Sequence, residues 1–238
     1  MELVALPEIP ARISRRTRAG RSIVLIGGPP ASRRIEIAQP DGQTVALEGA
    51  HFPVDGGAPT LAYLAVHPTQ ERAAVLVSRK FDHSVWDLDL VGLGVRRLAS
   101  SRTPHDLCWL DETHLAVAQL GGTRVLAVGD EGVRAHDACK FLGKLFSVAS
   151  GRVLVVSTAT SKGAPVLHVL PVYGGHIAET KAKVTLSPDD DVDDVFDHDG
   201  RVVVRTTTGA WELAGADEEV ARLEPRAALA TIHGAMQK

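Results

Sequence analysis

The chain contains no asparagine, so it offers no acceptor site for N-glycosylation. Its 238 residues include two cysteines, Cys108 and Cys139, which is too few for a disulfide framework. No apolar run approaches the roughly 18 residues of a membrane span. The opening segment, Met1-Glu2-Leu3-Val4-Ala5-Leu6-Pro7-Glu8, lacks the basic start and long apolar stretch of a secretory signal. These features predict a cytoplasmic protein that folds in a reducing setting and does not enter a membrane. Aromatics make up 4% of the chain and none occurs in the first 50 residues. Acids and bases nearly cancel, 29 against 26, so bulk charge gives no reason to expect nucleic acid as a partner.

A sustained helical stripe is also missing, apart from a tail at 227–238. What is present is a set of short, β-branched apolar runs. Ser22 to Ile26, Ala73 to Val77, Leu115 to Ala118, Val153 to Val156 and Val202 to Val204 each follow a polar turn rich in Gly, Asp or Ser. Such runs read as strands leaving hairpin turns. With Arg21, Arg72, His114, Arg152 and Arg201 as anchors, the intervals are 51, 42, 38 and 49 residues. Each interval holds a strand entering the turn, the anchored strand leaving it, a third strand, and a short fourth. Four strands at a period near 40–45 residues are the signature of a β-propeller blade. The expected fold is all-β, a single propeller of five four-stranded blades over residues 1–226. The approximate blades are 1–53, 54–101, 102–138, 139–187 and 188–226.

The second unit is the clearest. His67-Pro68-Thr69-Gln70-Glu71-Arg72, then Ala73 to Ser78, then Ser84-Val85-Trp86-Asp87-Leu88 resembles a WD40-type repeat. In that family a Pro-containing turn precedes the second strand and a Trp-Asp pair closes the third. Trp211-Glu212 takes the same slot in the fifth unit. The first, third and fourth units lack the pair, and none shows the family's Gly-His pair. The resemblance, strongest at residues 61–100, implies a propeller and places Trp86 and Trp211 at matching, substantially buried positions.

Charge is segregated. Residues 1–35 hold seven arginines against Glu2 and Glu8, whereas residues 187–225 hold twelve acids against three arginines. If the first and last units meet, opposite charges register the closure. The densest acids are Asp189, Asp190, Asp191, Asp193 and Asp194. Clustered carboxylates suit a divalent cation, but an EF-hand loop built on Gly200 would start at Val195 and end at Thr206 instead of a glutamate. These five acids therefore read as a surface for a protein partner, with a divalent cation as the alternative.

His105-Asp106-Leu107-Cys108 recurs as His136-Asp137-Ala138-Cys139. Imidazole and thiolate ligate zinc, yet on an extended strand His105 and Cys108 point to opposite faces. No metal site is assigned, and no cofactor is expected. His105 and Asp106 remain candidates for a channel lining. No Gly-x-Ser-x-Gly elbow, Ser-x-x-Lys or Walker A sequence occurs.

The leading expectation is a non-catalytic propeller serving as a protein-interaction module. The excess of arginine over lysine suggests a GC-rich bacterial genome. Some bacterial propellers of similar size resemble accessory subunits of AAA+ ATPase and von Willebrand A-domain systems. The rival is a lactonase-like metal hydrolase using Asp106, Asp191 and Asp193 with His105 as base. That rival departs from its family in blade number and in the lack of asparagine.

Overall fold

A computed structural model describes residues 2–5, 21–26, 33–55, 59–148, 151–160, 163–178, 182–198 and 200–214. The tail at 227–238 and Arg12, Arg15, Arg16 and Arg18 lie outside them. The described residues form twenty strands in five sheets, and the fold is a five-bladed β-propeller. Apart from a single 3-10 turn at Gly49–His51, no helix occurs among the described residues. Among the described residues no helix is long and apolar enough to cross a membrane.

Strand β1 (Glu2–Ala5) opens the chain. A three-stranded sheet follows, made of β2 (Ser22–Ile26), β3 (Arg34–Ala38) and β4 (Thr44–Glu48). The next sheet holds β5 (Thr60–Val66), β6 (Arg72–Arg79), β7 (Asp82–Asp89) and β8 (Val95–Ser101) in sequence order. The third holds β9 (Pro104–Trp109), β10 (His114–Gln119), β11 (Gly122–Gly129) and β12 (Gly132–Cys139). In the fourth, β13 (Lys144–Val148) pairs β14 (Val153–Ala159), which pairs the long β15 (Pro165–Tyr173). β15 is bordered by β16 (His176–Ile177) near its end and β17 (Lys183–Thr185) near its start, so two short pieces share the fourth-strand place. The last sheet runs β18 (Val192–His198), β19 (Arg201–Thr206), β20 (Ala210–Ala214), and then β1. β1 pairs β20 from Glu2↔Ala214 to Ala5↔Trp211. The start of the chain thus supplies the fourth strand of the last sheet, a pairing that reading the repeats in order does not reveal.

All five anchors stand at the start of a second strand. Arg72, His114 and Arg201 begin β6, β10 and β19, while Arg21 and Arg152 directly or nearly precede β2 and β14. The anchor makes β2–β4 the counterparts of β6–β8.

The packing explains why second strands are continuously apolar while fourth strands are not. The chain forms two compact units, one of residues 12–120 and 124–136, the other of 1–11, 121–123 and 137–238. In the first unit, Ala73, Val75 and Val77 of β6 join a core with Ile23, Ile35, Ile37 and Phe52. Ala74 and Leu76 point the other way, into a core with Leu107, Leu115 and Val117. Alternate residues of one strand therefore serve two cores, and every residue from Ala73 to Val77 is buried. Each Val or Leu so buried contributes roughly 1.5–3 kcal/mol. By contrast β8 (Val-Arg-Arg-Leu-Ala-Ser-Ser) leaves Arg96, Arg97 and Ser100 exposed, as suits an outer edge. In the second unit Val153, Val155, Leu167, Val169, Val192, Val195, Val202, Val204 and Leu213 form the corresponding core.

Trp86 and Trp211 occupy equivalent registers on third strands, opposite Val75 and Val204. Trp86 is 5% exposed, its indole N–H bonded to Ser84 Oγ at 2.9 Å, its ring edge-on to Phe52 at 6.0 Å. Trp211 is only half-buried. Replacing Trp86 with Ala is expected to destabilise the chain by about 3–5 kcal/mol in denaturant titration, whereas Trp211→Ala costs distinctly less. Equal losses would break the register assignment.

Candidate functional site

The acidic segment lies on β18 and the turn before it, in the unit that holds the last two sheets. The turn is closed by the Asp190 N–H donating to the Ser187 carbonyl at 3.1 Å. Asp190 is half-buried and accepts from the Thr206 hydroxyl at 2.9 Å and from the Thr208 hydroxyl. Asp191 is exposed and ion-paired with Lys144 Nζ at 3.0 Å, on neighbouring β13. Along β18 the side chains alternate: Val192 and Val195 enter the core, Asp193 is exposed, and half-buried Asp194 accepts from Arg205 at 3.2 Å. A register shift between Val192 and Asp194 places both valines in the core despite their odd spacing. Asp189 and Asp193 are exposed carboxylates.

The five candidate acids thus share a segment but do not converge on a point. Each buried carboxylate has its own intramolecular donor. Among the described residues no three His, Cys, Asp or Glu side chains meet as a metal site would require. The cations beside this run are Lys144 and Arg205. The described arginines of the basic N-terminal stretch pair elsewhere, Arg21 with Glu71 at 2.8 Å and Arg34 with Glu36 at 2.7 Å.

His105 and Asp106 sit on β9 of the other unit. His105 is exposed; Asp106 is half-buried and accepts from the Leu107 N–H at 2.8 Å. Asp106 acts on two neighbours: Cys108, which shares its tetrad in the sequence, and Tyr63, which sequence reasoning did not join to it. Burial and then the Asp106 charge raise the Tyr63 hydroxyl above its ordinary pKa, against a smaller lowering by Arg33. Burial and Asp106 likewise push the Cys108 thiol well up, so it stays protonated and unreactive at neutral pH. Tyr63 belongs to β5, and only strand packing brings it near β9. His105 and His136 lie on opposite edge strands of one sheet, with β10 and β11 between them, and cannot share an ion.

The most fully engaged histidine is one that the sequence marked only as part of a turn. His67 is 2% exposed. Its Nδ1 accepts from the Thr69 and Gln70 N–H groups at 3.2 and 3.0 Å, which leaves Nε2 to donate to the Glu112 carbonyl at 2.8 Å. The ring stands edge-on to Trp109 at 4.6 Å, and the Arg72 guanidinium covers that indole at 4.9 Å. Arg72 also reaches Asp87 at 3.3 Å and the Glu112 carbonyl at 3.4 Å. His67 and Arg72 therefore tie the turn before β6 to the turn before β10. The arrangement needs a neutral ring, and it is a clamp between sheets, not a reactive centre.

No protein-family model and no curated protein sequence matches this chain. Solved structures do match at the level of fold. A Xanthomonas campestris gluconolactonase is similar at 17% identity and TM-score 0.57, over 83% of this chain and 69% of that one. Kuenenia stuttgartiensis hydrazine synthase is similar at 11% identity and TM-score 0.54, over 80% and 54%. The Swd1 β-propeller domain of Myceliophteria thermophila is similar at 12% identity and TM-score 0.51, over 84% and 64%. The chain thus spans about half to two-thirds of the length of these proteins. Chemistries this different on one architecture show that the likeness carries the fold and nothing finer.

Burial lowers the His67 pKa most; the hydrogen bond to the Glu112 carbonyl raises it in part, the Arg72 charge lowers it further, and the Asp87 and Glu112 charges raise it by less. The unfolded chain then binds more protons than the folded chain below the ordinary histidine pKa of about 6.5. Stability from this site is present above about pH 6.5 and falls as pH drops toward the lowered folded value. His168, lowered by burial and by Lys183 and Lys140, adds a slope of the same sign. Between about pH 7.5 and 5.5 the urea midpoint should therefore fall, and His67→Gln should flatten that fall while lowering the midpoint at the upper end. An unchanged slope in the variant would show that His67 is not the group held neutral.

Proposed function

We propose that the chain is a β-propeller interaction module, and that the acidic segment entering β18 docks a basic protein partner. The observation that carries this reading is the division of labour among the acids. Asp190 and Asp194 are held by Thr206 and Arg205, while Asp189, Asp191 and Asp193 are exposed on one short stretch, Asp191 paired at the surface with Lys144. Dispersed exposed carboxylates create a negative field; they do not form a ligand cage or an acid–base pair. Such a field speeds encounter with a basic surface and weakens as salt rises. The arginine-rich composition and the WD40-type resemblance support a scaffold or accessory-subunit role in a bacterial assembly, and AAA+ and von Willebrand A-domain systems are where partners would first be sought.

Replacing Asp189, Asp191 and Asp193 together with Ser leaves the cores untouched and should not shift the unfolding midpoint. Proteins recovered on the parent chain from its native host at low salt should be lost or captured more slowly by the triple variant, by roughly tenfold or more, and the difference should shrink at high salt. A metal-supplemented esterase and lactonase screen on the same preparations should give no turnover. Turnover by the parent that disappears with chelator and with Asp193→Ser would replace this reading with a hydrolase.

A further inference from the structure

Two hairpin tips in the first unit show what the fold itself does not need. β6 and β7 are joined by Lys80 and Phe81, and Phe81 is 97% exposed. Lys80 adopts φ +50°, a left-handed conformation that costs an L-residue energy and that glycine adopts freely. In the corresponding turn of the next sheet, between β10 and β11, Leu120 takes the place of Lys80, and the positive φ falls on the glycine that follows, Gly121 at φ +104°. That turn nevertheless exposes an apolar side chain too, Leu120, at 61%. Phe81 buries almost nothing and Leu120 less than half of its surface, and polar residues would serve these turns as well.

Hydrogen bonds place both tips at the same end of adjoining sheets. His83, just after the Phe81 turn, pairs Ser101 at the end of β8. The chain continues through Arg102 and Thr103, whose carbonyls both accept from the Leu120 N–H, at 2.9 and 3.2 Å. Gln119 adds a second tie, accepting from Ser101 Oγ and the Arg102 N–H at 3.1 Å each. Thr103 is itself a β-branched residue at φ +35°. Strained backbone at Lys80 and Thr103 therefore lies beside exposed Phe81 and Leu120. The exposed charges here are Lys80, Arg97, Arg102 and Asp82. Asp82 is taken by Arg97 at 3.6 Å, which leaves Lys80 and Arg102 to set the local field.

We infer that Phe81 and Leu120, flanked by Lys80 and Arg102, form a second docking surface that takes an acidic protein segment bearing apolar side chains. The apolar tips supply anchors that hold the segment, and the two cations select carboxylates over bases. The polarity is the reverse of that at the β18 acids. The inference rests on the interaction-module reading but on different residues in the other unit, so the two can fail separately.

The test is selection of random dodecapeptides displayed on phage against the full chain, followed by affinity measurement with synthetic peptides. Enriched peptides should combine net negative charge with at least two apolar residues. Phe81→Ser with Leu120→Ser should weaken them by about tenfold or more, at an unchanged unfolding midpoint because both side chains are exposed. Lys80→Ser with Arg102→Ser should weaken them and flatten the salt dependence. Asp193→Ser should leave them unaffected. Neutral or basic peptides, no enrichment, or binding indifferent to the Phe81 and Leu120 changes would overturn the inference. Dimers seen by sedimentation and abolished by the same two changes would overturn it as well, by identifying a second copy as the occupant. Peptides lost only on changing Asp189, Asp191 and Asp193 would overturn it while leaving the interaction module standing.

Discussion

The structure depends on one constraint: the second strands β6, β10, β14 and β19 are buried on both faces. β6 shows it most plainly, since Val75 and Leu76 are adjacent in sequence and fully buried in different cores. A lone four-stranded sheet cannot achieve this, because one face would remain in water. Sheet must cover sheet, and the repeat follows from that requirement. The same constraint makes the outer strands polar. β8 carries Arg96 and Arg97 because its position brings little burial and an unpaired edge.

Polar groups at the sheet ends follow the anchors. Arg21 stands before β2 and bonds Glu71 in the turn before β6. Arg72 starts β6 and bonds the Glu112 carbonyl in the turn before β10, with neutral His67 bonding the same carbonyl. These two anchors reach from their own sheets to the next turn along, whereas His114 bonds Asp111 in its own turn and Arg201 pairs Glu212 within its own sheet. The half-buried ones, at 16% and 19% side-chain exposure, are screened less than a surface pair would be. Removing Arg72 would leave half-buried Asp87 with only Arg96, whose side chain is half exposed.

The fold was legible because both its signals are local. The β-branched runs Ala73 to Val77 and Val153 to Val156 announce doubly buried strands, and the turn residues before them set the repeat. What could not be read was pairing at long range. β1 joins β20, and nothing in Glu2-Leu3-Val4-Ala5 names that partner. The division of the fourth place between β16 and β17 depends on the length of β15. Trp86 and Trp211 were correctly aligned, but the sequence did not show that Phe52, a residue in a connecting segment, packs on Trp86, nor that Trp211 is only half-buried. The acids of residues 189–194 were visible as a charge run; which of them are consumed depends on Thr206, Arg205 and Lys144, on other strands. The effect of Asp106 on Tyr63 required β5 beside β9. Phe81 and Leu120 were in plain view, and the signal was an apolar residue at a turn position.

The central claim is that doubly buried second strands hold the fold, leaving sheet ends free to carry recognition. Residue-resolved amide hydrogen exchange on the free chain tests it directly. The slowest amides should be those of Ala73–Val77, Leu115–Ala118, Val153–Val156 and Val202–Val204. The amides of Phe81, Asp189 and Asp193 should exchange orders of magnitude faster. Comparable protection at those positions would make them part of the folded core and would contradict the account.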